Sequence, residues 1–455
     1  MNGIDELAGF IVDLQADQVA QETLEKLRLH VADTIGAWMA AAETPEGKLL
    51  IAFAHQLRPR GDAFDRVALH CALTRSSEID DIHLASMTTP GSIAIPVALT
   101  LASGMPDADC SDVAAAILAG YEAMIRFGLA VKGPSILYRG IWPTYFAAGI
   151  ATAAVAARLM RLDRSQTAQA LAMATAMAPL TVGQHHAPTT ARWFLIGNAA
   201  RSGLAAAHAA RAGFTADTEV LQSRLFSDVC GIEPDVSMIS QGINGEVALA
   251  HVSFKPWCAA RQTMAATQAL RELVDDGVIV ADITDVTAYV LPPHLKMIDH
   301  GIKSGNRASF LTSLPYQLAM AALYPGEMLD LGQPAETALP ALQSFMERIK
   351  VIADDALLAA YPSSWPARIV VTTKSDRYEG RVRDIPGDPA RPFHEADIHN
   401  KFQYVVAPLL GEQTAAFLQS GLTVLSSRDS LSSVMQNLSR VISRVHRMKR
   451  LLVGN

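Results

Sequence analysis

The sequence predicts a mainly α protein with a smaller α+β unit late in the chain, and three observations carry that expectation. Apolar residues recur at helical spacing through the first half, alanine is dense there, and short β-branched runs appear only after about Leu273. Leu7, Phe10, Ile11 and Leu14 fall at i, i+3, i+4 and i+7, and Leu24, Leu27, Val31, Ile35 and Trp38 keep the period. Both segments read as amphipathic helices. Ser111 or Asp112 can cap a helix that presents Val113, Ile117, Tyr121 and Met124. The Ala-rich lengths 145–160 and 165–178 have too little polar surface for an outer position and belong at the centre. A further Ala-rich helix, 196–212, ends at Gly213, where a left-handed cap favours glycine.

The pattern then changes. VTAYVL (286–291), IKVI (349–352) and RIVVTT (368–373) are strand-like runs bounded by Pro, Gly and Asp. Residues 377–382 can pair with the last of these through the turn Lys374-Ser375-Asp376. Helical segments 308–323 and 340–348 lie between them, the second with proline at its tolerated first position. Helical pattern returns from His394 and finishes with Leu431, Val434, Leu438, Val441, Ile442 and Val445. If that last helix packs on the first half, the α+β unit is an insertion between Leu273 and about Pro392.

Composition bounds the function. A chain of 455 residues allows about three domains of ~150 residues, or one large and one small. Thirty-eight Lys+Arg against 45 Asp+Glu give a net charge of −7, so nothing asks for a nucleic-acid or anionic-membrane partner. Half the residues are hydrophobic and only 18% are charged, against about 25% in typical domains. Too few charges are left to cover the outside, so a second copy is expected to cover part of it. No run reaches the ~20 uninterrupted apolar residues of a spanning helix; 145–160 contains Arg158, and 113–131 contains Glu122 and Arg126. Asp5 and Glu6 near the start argue against a signal or transit peptide, and the expected location is cytoplasmic. Cys71, Cys110, Cys230 and Cys258 have no CxxC spacing and are expected to be reduced thiols.

There is no GxGxxG after a strand, no GxxxxGK[ST] and no GxSxG. His394 and His399 are five apart, ~140° around a helix, so no metal site is expected there. Four segments carry possible chemistry. Glu78-Ile79-Asp80-Asp81-Ile82-His83 packs three carboxylates and an imidazole into six residues, where crowding splits pKa values; a water-facing helix start is the plain alternative. Thr88-Thr89-Pro90-Gly91-Ser92 follows and leads into an apolar helix whose N-terminus can seat an anion. Arg192, placed just before a buried helix, can clamp a carboxylate, and Gly183-Gln184-His185-His186 before it reads as a polar loop. Lys255 precedes a proline and is held in a loop. Cys258, near Lys255 and Arg261, is a structural thiol or an activated one. Tyr316, after Ser313-Leu314-Pro315, points inward as a core residue or as an acid.

In this order the segments resemble the MmgE/PrpD family, whose members include 2-methylcitrate dehydratase, cis-aconitate decarboxylase and iminodisuccinate epimerase. The matching pieces are EIDDIH with TTPGS, GYEAMIRFG from Gly120, WPTYFAAGIATAAVAARL from Trp142, RWFLIGNAARSGLAAAHAARAGF from Arg192, FKPWCAARQTMAATQAL from Phe254 and SLPYQLAMA from Ser313. The resemblance implies a large all-α helical domain built from both chain ends (1–273 and 393–455), with an inserted smaller α+β lid domain (274–392). It further implies a homodimer, a pocket between the domains, and cofactor-free chemistry on small polycarboxylates.

The chain departs from the family where many members have proton carriers. Thr89 stands before Pro-Gly-Ser in place of His, Trp142 in place of His, Arg192 in place of Lys, and Arg261 or Gln262 where a His is expected. Arginine clamps a carboxylate but is a poor acid or base. The expected site therefore has Asp80, Asp81 or His83 as base and Tyr145 or Tyr316 as acid. Arg192 and Lys255 would hold carboxylates, with Thr88, Thr89 and Ser92 as neutral donors and Cys258 and Arg261 nearby. Trp142 would make one wall apolar. The resulting expectation is a lyase, a dehydratase or decarboxylase, with an isomerase or epimerase second and a binding module third.

Overall fold

A computed structural model of the chain describes residues 3–57, 62–182, 189–303, 305–332, 334–420 and 427–453. The polar loop with His185 and His186 lies outside them. The protein is mainly α. Ten helices come first: α1 (Gly3–Asp13), α2 (Gln21–Ala41), α3 (Pro45–Leu57), α4 (Ala63–Ser76), α5 (Gly91–Ala102), α6 (Cys110–Ala130), α7 (Gly133–Ile136), α8 (Pro143–Leu159), α9 (Arg164–Ala176) and α10 (Ala191–Arg211). Then α11 (Arg261–Asp275), α12 (Leu295–Ile298), α13 (Arg307–Thr312), α14 (Leu314–Leu323) and α15 (Leu339–Met346) mix with four strands. These are β1 (Ile283–Val290), β2 (Ile349–Ala353), β3 (Ala367–Thr373) and β4 (Arg377–Val382). Helices α16 (Glu395–Leu410), α17 (Glu412–Ser420) and α18 (Arg428–Val453) close the chain.

The chain divides into two compact units. One holds the residues up to Val252 together with those from His394 onward; the other is Ser253–Phe393. In the first, α8 is buried along almost its whole length and packs on α5, α6, α9 and α10. Small residues make this possible. A Cβ added at Gly203 of α10 would stand 1.9 Å from the Gly149 carbonyl oxygen of α8, and one at Gly120 of α6 would meet Val155 and Ala94. The low charge of the sequence is thus, in part, a set of central helices whose backbones nearly touch. The apolar helix α6 is long enough to cross a membrane by composition, but 94% of that window is buried in the protein. Its Glu122 and Arg126 are paired there: Arg126 Nε lies 2.7 Å from Glu122 Oε2. The cap of α6 is Asp109, whose side chain accepts the Asp112 N–H, rather than Ser111 or Asp112. The C-terminal helix α16 packs on α2.

In the second unit the sheet order is β2-β1-β3-β4. β1 and β2 are parallel, with Val286 opposite Ile349, so the chain between them crosses over through α12–α15. β3 and β4 form the hairpin expected around Lys374-Ser375-Asp376, with Val371 opposite Tyr378. Helix α11, expected with the first half, packs on β3, β4 and α14 and belongs to this unit. The single helix expected over 308–323 is two, because Ser313 leaves helical geometry and its hydroxyl caps the Tyr316 N–H. All four cysteines are free.

Candidate active site

The segment between α4 and α5 holds a buried charge cluster. Glu78 adopts a left-handed backbone, φ 62°. A non-glycine residue in that region stores roughly 1–3 kcal/mol, which persists only where its surroundings impose it. Here the surroundings are cationic and aromatic. Arg75, in the last turn of α4, places Nη1 3.0 Å from Glu78 Oε2 and 3.2 Å from Asp80 Oδ1. Arg192 approaches Glu78 at 3.6 Å, Nη2 to Oε1. Its guanidinium lies 4.0 Å from the Trp193 ring centre and 5.6 Å from that of Trp142. All four charged side chains are buried. Burial works against the charge on Arg75, but Asp80 and Glu78 hold its pKa well above the usual range.

Tyr145, in the first turn of α8, is fully buried and meets Trp142 edge to face at 5.6 Å. Its hydroxyl has no hydrogen-bond partner among the described residues. Burial pushes its pKa up to about 12 against the pull of Arg192 and Arg75. It is therefore a neutral phenol at ordinary pH, able to donate. Arg192 is the second residue of α10, not a loop residue before it.

Asp81, next to Asp80, faces a different set of partners. Its carboxylate accepts Tyr121 Oη–H at 2.6 Å and the Gly91 N–H at 2.8 Å, and lies 2.9 Å from His30 Nδ1. The anion seat expected at the N-terminus of α5 exists, and Asp81 itself fills it. Gly91 has to be glycine, since a Cβ would stand 2.6 Å from Asp81 Oδ2 and 2.7 Å from Tyr121 Oη. Farther along, Lys401 of α16 lies 2.7 Å from Asp33 Oδ1 of α2 and donates to the Ile79 carbonyl at 2.9 Å.

The hydroxyls of the next loop are turned on one another. Thr89 Oγ1 lies 3.1 Å from Ser92 Oγ and 3.3 Å from Thr144 Oγ1, and Ser92 donates to the Thr89 carbonyl. Thr88 meets Ser86 Oγ at 2.7 Å. His83 Nδ1 lies 2.8 Å from Ser86 Oγ and accepts the Ser86 backbone N–H at 3.2 Å. Burial, then the nearby His251, pushes its pKa down to about 3.

The remaining candidates lie in the second unit. Lys255 is buried. Arg261 is fully buried, and its Nη2 sits 2.6 Å from Asp388 Oδ2 in an ion pair, so it forms part of that unit's core. Tyr316 lines a cavity of about 250 Å³ with Cys258, Arg307, Gln317 and Glu327. Arg307 Nη2 donates to Cys258 Sγ at 3.5 Å. Burial, followed by the Cys258 thiol and Glu327, raises the Tyr316 pKa above the usual phenol range. A separate open groove of about 850 Å³ lies over α1 and α2 and is lined by none of the candidate residues.

Two family models match the chain, the MmgE/PrpD N-terminal domain over residues 5–238 and the MmgE/PrpD C-terminal domain over 257–422. The chain belongs to the MmgE/PrpD family. A search among curated proteins finds no match. In this MmgE/PrpD chain two of the departures are neighbours in space, Trp142 and Arg192, and the second is sandwiched toward Trp193. The sequence patterns do not mark Arg75, His30 or Lys401 as site residues, and they mark Tyr121 only as part of its helix face. Arg75 was within reach, three residues before Glu78 and five before Asp80; the other three come from distant helices with no local signal.

Proposed function

We propose that this MmgE/PrpD protein is a cofactor-independent lyase, a dehydratase or decarboxylase, that moves a proton next to a carboxylate of a small organic acid. The observation that carries the reading is the buried set Arg75, Glu78, Asp80, Arg192 and neutral Tyr145. Arg192 meets Glu78 at 3.6 Å, longer than the 2.7–2.9 Å of a tight charge-assisted bond. A substrate carboxylate forming a bidentate pair with Arg192 would displace that contact and leave Glu78 as base. Arg75 holds Asp80 and steadies charge developing on an enolate-like transition state. Tyr145 gives its proton to the leaving group or the enolate.

Asp81 and His83 have no part in this assignment. Asp81 is closed off by three hydrogen-bonding neighbours, and His83 spends its Nδ1 lone pair on Ser86. Thr88, Thr89 and Ser92 shape the loop through their own hydrogen bonds. The Trp142 and Trp193 walls favour an acid with few carboxylates and an apolar part. Lys255 is proposed as a further carboxylate holder and Tyr316 as the alternative acid; Lys255→Ala should raise KM, and Tyr316→Phe should lower kcat only if Tyr145→Phe does not.

The test is incubation with a panel of small organic acids in D₂O. New alkene absorbance means dehydration and CO₂ release means decarboxylation. Deuterium wash-in without net conversion would replace the lyase by an isomerase, and saturable binding with no turnover would replace both by a binding module. Arg192→Ala should abolish turnover in a folded protein; an unchanged kcat/KM rejects the clamp. We also propose a homodimer, supported by Phe53 and Phe194, which stand exposed and edge to face 5.5 Å apart. A light-scattering mass of one chain would overturn it.

A further inference from the structure

We propose that Lys401 is a positioning residue for the carboxylates of Glu78 and Asp80, acting from the C-terminal part of the chain through the Ile79 peptide. This rests on the reading that those carboxylates carry the chemistry. Lys401 is buried, as is its partner Asp33. A buried ion pair often adds no stability over apolar residues of like volume, so its presence asks for another reason. The second contact of Lys401 supplies one. Lys401 Nζ donates to the carbonyl of Ile79, 322 residues away in sequence. That carbonyl belongs to the peptide joining Ile79 to Asp80, and the residue before it is left-handed Glu78.

The segment is thus fixed at two points by groups other than the arginines. Ile79 is held by Lys401, and Asp81 is held by His30, Tyr121 and the Gly91 N–H. Between and before these points, Glu78 and Asp80 are offered to Arg75 of α4, to Arg192 of α10 and to the Tyr145 region of α8. A left-handed glutamate with nothing holding the following peptide would relax toward the ordinary helical or extended region. Relaxation would carry its carboxylate away from both guanidiniums. Burial, with a smaller push from Asp81, raises the pKa of Asp33, and Lys401 is the main force against that rise, so the two side chains depend on each other.

Two variants test this. Lys401→Met leaves Asp33 buried without its cation and is expected to lose stability. The double variant Asp33→Asn/Lys401→Met leaves neither charge alone and should recover most of the melting temperature. In that folded double variant kcat should be down by about 10- to 100-fold with KM within about twofold, the scale of a small misplacement of catalytic groups. Glu78, drawn off Arg75 and Arg192, should titrate higher, so the acid limb of kcat/KM should move to higher pH by about half a unit or more. A double variant with normal kcat and an unmoved limb overturns the proposal and reduces the pair to packing. Glu78→Gln is run beside it. If Glu78→Gln is fully active, the reading of the site has failed; if it is inactive while the double variant is normal, only the positioning role has failed.

Discussion

Glu78 and Asp80 face two guanidiniums at 3.0–3.6 Å across aromatic walls, whereas Asp81, one residue on, is closed in by His30, Tyr121 and the Gly91 N–H at 2.6–2.9 Å. Burial does not separate the two sides, since all three carboxylates are inside. The kind of donor does. A guanidinium has five N–H groups and can take a second carboxylate by exchanging partners, while a backbone N–H and a phenol at short range offer one bond each, already made. An alternation of side chains along one short segment is enough to place exchangeable charge on one side and fixed charge on the other.

The comparison breaks most directly at Glu78. Glu78→Gln keeps the shape and removes the base, and kcat/KM should fall by about 10²–10⁴ with the fold intact, as for other acid-base groups. Asp81→Asn or Ala should do the reverse. Asp81→Ala strands a buried histidine, a phenol and an N–H, and a loss of about 3–5 kcal/mol in unfolding free energy is expected, with activity falling only as far as the folded fraction does. Urea titration and kinetics on the same samples distinguish the two; an Asp81→Ala protein of normal stability and no activity would exchange the roles. Gly91→Ala is a milder blow to the same side. Its Cβ would press on Asp81 Oδ2 and Tyr121 Oη, and overpacking of this kind costs about 1–3 kcal/mol.

Much of the architecture could be read locally. The apolar period marks the helices of the first half, and the Lys374-Ser375-Asp376 turn marks the hairpin, because both depend on neighbours in sequence. Errors arose where the deciding partner is distant. Helix α11 belongs to the second unit because the sheet covers it, and the α5 N-terminus is unavailable because Asp81 occupies it. At the site, the crowding of 78–83 and the position of Arg192 were visible, and the family pattern drew attention to Tyr145. Sequence could not divide Asp80 from Asp81, since both are aspartates at adjacent positions and the difference lies in Arg75 on one side and His30 with Tyr121 on the other. Lys401 could not be found at all, because its three-way contact joins α2, α16 and the 78–83 segment.

The smallest effect concerns the histidine at the end of the segment. Folded His83 titrates at about 3, displaced by burial and by His251, while in the unfolded chain an imidazole titrates near 6.5. Between those values the unfolded state takes up a proton that the folded state refuses. Stability contributed by this group is therefore complete above pH ~6.5 and declines as pH falls toward 3, by about 2 kcal/mol at pH 5. His70 and His294, both pushed down to about 3 first by burial, add to the same slope. His83→Asn keeps an acceptor for the Ser86 N–H and has nothing to protonate, so the drop in urea midpoint between pH 7 and pH 5 should shrink by about a third if the three act alike. An undiminished drop would mean that His83 takes its proton in the folded protein. It would then join the exchangeable side of the segment, next to Glu78 and Asp80, instead of the fixed side with Asp81.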